Sequence, residues 1–180
     1  MPRIIVTEFV TLDGVMEAPG GEPSHPHTGW AATMGEEAGA YKFQEVQEAD
    51  AHLLGRVTYE SFAGAWPTYE GPFADRMNAF PKYVVSTTMT SADWTNSHVV
   101  PTLDAVRELD GELLVAGSRT LVHSLLRADL VDELRLLTFP LSVGGGDRVF
   151  PEGHERFDLR LRASRTFDDG ATLLHTYTRA

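Results

Sequence analysis

The chain has 180 residues, of which 42% are hydrophobic and 23% charged, and its formal net charge is -11. That is the composition of a globular chain long enough for one domain with a proper core, and its acidic balance argues against a general nucleic-acid surface, which needs a basic stripe. With no cysteine present, disulfides, thiolate nucleophiles and cysteine-ligated zinc are all excluded.

The opening MPRIIVTEFV is too short and too interrupted for a signal peptide, and no apolar run approaches membrane-spanning length. A cytoplasmic location with no membrane partner is therefore expected. Arg3 to Val10 alternates β-branched and polar residues and is predicted as the first strand. Asp13-Gly14 then marks a turn. Met16 to His27 carries Pro19, Gly20, Gly21, Pro23 and Pro26 and reads as a long surface loop of the kind that can act as a lid. His25 and His27 are expected to be solvent-exposed in it. No metal site is predicted, because no carboxylate stands at matching spacing. Gly35 to Ala49 is predicted as a helix carrying Tyr41, Phe43 and Val46, with Glu36, Glu37, Glu45 and Glu48 on its solvated face.

Ala51 to Gly55 is a short buried strand that meets a helix opened by Arg56-Val57-Thr58-Tyr59-Glu60 and ended by Gly64 and Pro67. Gly71 to Pro81 is a loop or short helix. Lys82 to Ser86 is a strand ending in the hydroxyls Ser86, Thr87 and Thr88, which can hydrogen-bond a phosphate or cap a turn. Val99 and Val100 form a short strand, and Leu103 to Leu109 a helix.

Leu113 to Ala116 is a buried strand, Gly117-Ser118 a small-residue turn, and Leu121, Val122, Leu125 and Leu126 give the following helix one apolar face. A strand that ends in glycine and feeds a helix presents free backbone N–H groups at the positive end of the helix dipole, which makes an anion site. Arg119 and Thr120 add a charge and a hydroxyl in the first turn. An ordinary β-α junction accounts for the same residues, but two such junctions, at Gly55 and at Gly117, coincide less readily than one. Glu133 to Phe139 is an apolar strand that suits the core or a homodimer contact equally, and Gly144 to Asp147 is a loop. Asp158 to Thr166 and Ala171 to Thr178 form a terminal hairpin across Asp168-Asp169-Gly170. The alternation of strands and helices argues an α/β fold with a mostly parallel sheet and an antiparallel edge.

Five segments carry a family resemblance: TLDG after the first strand, then LLGRVTYESF, KYVVST, LLVAGSRTL and LTFPLSVGGGDRVFPE. Together they resemble the dihydrofolate reductase fold, and more closely the reductase half of the bacterial bifunctional deaminase-reductase of riboflavin biosynthesis. The resemblance implies one dihydrofolate reductase-like domain over residues 1–180, a three-layer α/β/α architecture, and hydride transfer from NADPH to a pterin- or pyrimidine-like heterocycle.

Residue by residue, it implies that Gly55, Arg56 and Thr58 lie on the phosphate-bearing side of the cofactor. Ser86 and Thr87 would face its 2′-phosphate. Gly117, Ser118, Arg119, Thr120 and Leu121 would cradle the pyrophosphate, and Gly14 and Val15 would lie beside the nicotinamide. Thr138 matches a threonine near the folate-type substrate. Trp30, Trp66 and Tyr69 are candidates to wall a flat heterocycle, and Asp13 or Glu36 to relay the accompanying proton. There is no H-x-E…P-C-x-x-C deaminase module, so the resemblance extends to the reductase alone. The carboxylate that folate reductases carry on the helix after the first strand has no firmer counterpart than Glu36 or Glu37, and the AGSRTL turn has one glycine where those enzymes have a pair. Two rival readings stand beside the enzyme: a non-catalytic NADPH-binding sensor, and a structural α/β domain that binds no cofactor.

Overall fold

All residues except Glu155 and Phe157 are described by the computed structural model. Arg3–Thr11 forms β1, in which every residue except Arg3 and Phe9 is buried. Period-two alternation sends Ile4, Val6 and Val10 to one face and Ile5, Thr7 and Phe9 to the other, and helices cover both. The chain continues through α1 (Glu36–Glu48), β2 (Ala51–Gly55), α2 (Arg56–Ala65), α3 (Pro72–Ala79), β3 (Lys82–Val85) and β4 (Ser97–Val100). It ends with α4 (Leu103–Val106), β5 (Glu112–Val115), α5 (Arg119–Arg127), β6 (Glu133–Phe139), β7 (Leu159–Phe167) and β8 (Thr172–Arg179).

The eight strands lie in the order β4-β3-β2-β5-β1-β6-β8-β7. The first six are mutually parallel, and β8 runs antiparallel to both β6 and β7. This is the α/β sheet with an antiparallel C-terminal hairpin that the pattern predicts. The predicted helix at Leu103 stops earlier: after Val106 the chain winds on through tighter three-residue bonds, with Arg107, Glu108 and Leu109 donating to Asp104, Ala105 and Val106.

The layers follow from the apolar clusters. Val106 of α4 and Leu121, Val122 and Leu125 of α5 pack on Ile4, Val6, Leu113 and Val115. On the opposite face, Val46 of α1 and Met77 of α3 pack on Ile5 and Leu114, with Phe62 of α2 against them. Between β1 and β8, β6 buries Leu134, Leu137 and Phe139, so this strand belongs to the core.

One departure from expectation, and one cap, bear on α1. Glu45 was expected on its solvated face; instead it is buried against β1. Its carboxylate accepts from Lys42 Nζ (2.6 Å), Thr7 Oγ1 (3.0 Å) and Arg135 (3.0 Å). Burial raises the proton affinity of Glu45, but Lys42 and Arg135 together outweigh it and hold the group below the usual carboxylate range. The start of α1 is capped from across the chain: the Asp168 carboxylate accepts from Glu37 N (2.9 Å) and Ala38 N (3.1 Å), and the Glu37 carboxylate accepts from Asp168 N (2.8 Å).

The two ladders that β1 makes differ in length. The β1–β5 ladder covers only Arg3 to Val6 against Glu112 to Val115, whereas the β1–β6 ladder runs on to Thr11 and Phe139. Beyond Val6 and Val115 the two central strands part and form a fork that opens toward the C-terminal rim of the sheet.

Truncating Glu45 to Ala strands two mostly buried cations. It is expected to cost about 3 kcal/mol of unfolding free energy by urea denaturation at neutral pH. Because the folded-state proton affinity of Glu45 is lowered, its contribution is present above the ordinary carboxylate range and lost as pH falls through it. The gap between wild type and Glu45→Ala should therefore narrow in acid.

Candidate cofactor and active site

Both strand–helix junctions fall on the rim, side by side. Gly55 ends β2 and α2 begins at once with Arg56, while β5 reaches α5 through Ala116, Gly117 and Ser118. Gly55 N donates to Gly117 O (3.4 Å) across the gap. The turns interlock so closely that a Cβ on Gly55 would lie 2.0 Å from Ser118 Oγ, and one on Gly117 would lie 2.6 Å from Thr58 Oγ1. Gly117 has φ +94°, a conformation that favours glycine, and a cis peptide joins it to Ser118.

No side chain caps the start of α2 or of α5. The free N–H groups of two helices, each with the positive end of its dipole, therefore converge on one stretch of rim. Thr58 and Ser118 are half-buried there, Thr120 and Arg56 are exposed, and Leu121 turns inward into the core. Arg56 makes only a long contact, 3.8 Å, with Glu60 one turn on. Arg119 pairs with Asp147. The donor set fits a diphosphate: two uncapped helix starts, two arginines and hydroxyls, around glycines that leave the backbone bare.

At the end of β3, Ser86 Oγ accepts from Thr88 N (3.2 Å) and Met89 N (3.1 Å), so this hydroxyl closes the turn, and Thr87 is exposed beside it. At the end of β1, Gly14 and Val15 are held by the glycine loop. Val15 bridges Arg148, Val149 N donates to Gly14 O (3.3 Å), and Met16 N donates to Asp147 O (2.8 Å).

Asp13 belongs to the same closure. Its carboxylate accepts from Thr11 Oγ1 (2.6 Å), Gly144 N (2.9 Å) and Val143 N (3.3 Å). The Thr11 hydroxyl, helped by those backbone donors, holds its proton affinity far below the usual carboxylate range. Asp13 therefore fixes the loop and is not a proton donor at neutral pH. Glu36 is no better placed, since it lies exposed on the first turn of α1.

The expected aromatic walls also divide. Trp30 is buried edge-on to Phe139 (ring centroids 5.4 Å apart), with Nε1 donating to Glu17 O (2.9 Å), so it lines the α1 face of the β6 terminus. Thr138 pairs with Val10 in register and shares its face, the side covered by α5. Trp30 and Thr138 therefore stand on opposite faces of the sheet. Trp66 packs between Phe62 and Phe73, with Tyr69 on its edge, and ties α2 to α3. His25, expected in solvent, is buried: its Nε2 bonds Gly145 O (2.8 Å) and its Nδ1 accepts from His27 N (3.0 Å).

One further residue near the rim is not among those that the sequence singles out. Glu8, on β1, is buried, with Oε1 unpartnered, and a backbone hydrogen bond from Gly117 reaches its carboxyl. The signal was present in the sequence: at period two, Glu8 shares the apolar face of Ile4, Val6 and Val10.

A mostly parallel sheet between two helical layers, with glycine turns massed on its C-terminal rim, defines a dihydrofolate reductase-like α/β protein. Over 98% of its length the chain superposes on 96% of dihydrofolate reductase from Enterococcus faecalis complexed with NADP(H) and RAB-propyl, with a TM-score of 0.62 and 17% identity. A protein ascribed to riboflavin biosynthesis in Shewanella sp. PV-4 superposes with a TM-score of 0.70 over 99% of both chains at 21% identity. Residues 2–173 match the RibD C-terminal domain family, and the chain belongs to it. Among curated proteins it is 27% identical to the uncharacterized protein YyaP of Bacillus subtilis (strain 168), across 93% of this chain and 90% of that one.

The interlock is open to direct test. Gly117→Ala forces a Cβ against Thr58 at a positive φ and should lower unfolding free energy by about 2 kcal/mol. Gly64→Ala in α2, where a Cβ meets nothing within 4 Å, should instead gain up to about 1 kcal/mol. Paired urea titrations measure both.

Proposed function

We propose that this protein is an NADPH-dependent reductase whose rim holds the dinucleotide and whose fork admits its ring end, with a pterin- or pyrimidine-like heterocycle as hydride acceptor. The observation that carries the reading is the pair of interlocked glycine turns that bring two uncapped helix starts together. Gly55, Arg56, Thr58 and Gly117 to Leu121 surround the diphosphate, with Arg119 exchanging Asp147 for phosphate. Ser86 and Thr87, at the next strand end along the rim, serve the 2′-phosphate.

When bound, the reduced nicotinamide supplies the hydride. The chain supplies position and dryness. Gly14 and Val15, clamped by the glycine loop, wall the ring end, and the loop of residues 16–27, pinned through His25, closes over it. On the α1 side of the fork, Phe9 and Trp30 offer apolar surface to a flat acceptor.

The roles of Asp13 and Glu36 in the structure favour a second reading, a dinucleotide-binding protein without turnover. Titration of NADPH against the pure protein, followed by the loss of reduced-nicotinamide absorbance with candidate heterocycles, separates the two. Arg56→Ala and Arg119→Ala are each expected to weaken NADPH about fivefold, roughly 1 kcal/mol. An affinity within about twofold of wild type in both variants would overturn the phosphate assignment.

A further inference from the structure

Glu8 stands in the fork, two residues past the point where β1 leaves β5. Only 7% of the residue is exposed, and Oε1 has no partner. The surroundings hold little charge. Level with it on β6 is Leu136, from the β5 side comes only the backbone N–H of Gly117, and Met16, Val10 and Leu121 belong to the apolar cluster on its face. Among the described residues, the one charged side chain that acts on it is Lys42 of α1. Burial prevails over Lys42 and Gly117 and pushes the carboxyl up to about 8. At neutral pH Glu8 is therefore mostly an uncharged acid, with an oxygen left unsatisfied at a cost the fold tolerates.

The position of this oxygen points to a ligand. The Glu8 carboxyl takes the N–H of the Gly117 turn, assigned above to the diphosphate, and its strand runs on three residues to Thr11, which bonds Val15 of the loop assigned to the nicotinamide. The two oxidation states of that ring differ by one positive charge. In a water-poor fork, a carboxylate favours the cationic ring and a neutral acid does not.

We propose that Glu8 is a proton-linked sensor of the cofactor's oxidation state, a neutral acid beside the reduced ring and a carboxylate beside the oxidised one. This rests on the dinucleotide reading of the rim. Binding of the oxidised form takes the O–H of Glu8 apart: the electron pair stays on the carboxylate and the proton passes to solvent. Binding of the reduced form leaves the O–H intact.

The test uses the whole protein and both nucleotides. NADP+ and NADPH are titrated calorimetrically from about pH 6 to about pH 9, in buffers of different ionisation enthalpy, against wild type and Glu8→Gln. In wild type, NADP+ should tighten relative to NADPH by about a hundredfold across that range and release close to one proton more than NADPH at its lower end. In Glu8→Gln the two nucleotides should share one pH dependence, that of their common 2′-phosphate. A second readout needs no nucleotide. Because the folded-state proton affinity of Glu8 is raised, wild type should lose stability relative to Glu8→Gln as pH rises from the carboxylate range to about 8. The same pH dependence for both nucleotides in wild type, or a difference between them that survives in Glu8→Gln, overturns the sensor while leaving the dinucleotide site standing. Binding of neither nucleotide overturns both.

Discussion

Contact between two turns governs this molecule. Gly55 meets Ser118 and Gly117 meets Thr58 at distances no Cβ could share, and through those contacts two β-α junctions become a single surface. The β2–β5 ladder behind them is only two residue pairs long. At the rim, registration of the two halves of the anion cradle therefore depends on packing between turns more than on strand hydrogen bonds. Helix starts this close and uncapped place partial positive charge in one spot, which an overall acidic chain tolerates because the field of a helix terminus is short in range.

A second set of contacts is built on the opposite chemical principle. Around the Gly14 loop, acids serve as acceptors for backbone N–H groups: Asp13 for Val143 and Gly144, and Glu17 for Asp147. His25 and Arg148 fasten the same loops through carbonyl oxygens. Through these hydrogen bonds the side chains fix the shape of the site. Glu8 is the contrast, a carboxyl with one oxygen in use and the other idle.

Much of this could be read from residue order. Apolar runs bounded by glycine gave β2, β5 and their helices, because burial on both faces of a parallel strand leaves an unbroken hydrophobic signature. The junctions at Gly55 and Gly117 were visible as separate anchors; that they touch was not, since they stand 62 positions apart. Glu45 was misplaced for a similar reason. An acid on a helix defaults to solvent, and one of the two cations that hold it, Arg135, is 90 residues away. His25 depends on Gly145, 120 residues on. Glu8 is a different failure. Alternation alone put it on the buried face, but its neighbour Thr7 and the expectation that glutamates are solvated hid the pattern.

The short ladder between β1 and β5 has a mechanical meaning as well. Four residue pairs, at the N-terminal end of β1 and along the whole of β5, join β4-β3-β2-β5 to β1-β6-β8-β7. Past Val6 and Val115 no ladder pair among the described residues joins these halves, and α1 on one face and α5 on the other pack across the seam instead. Side chains rather than backbone hydrogen bonds therefore set the width of the gap at the rim.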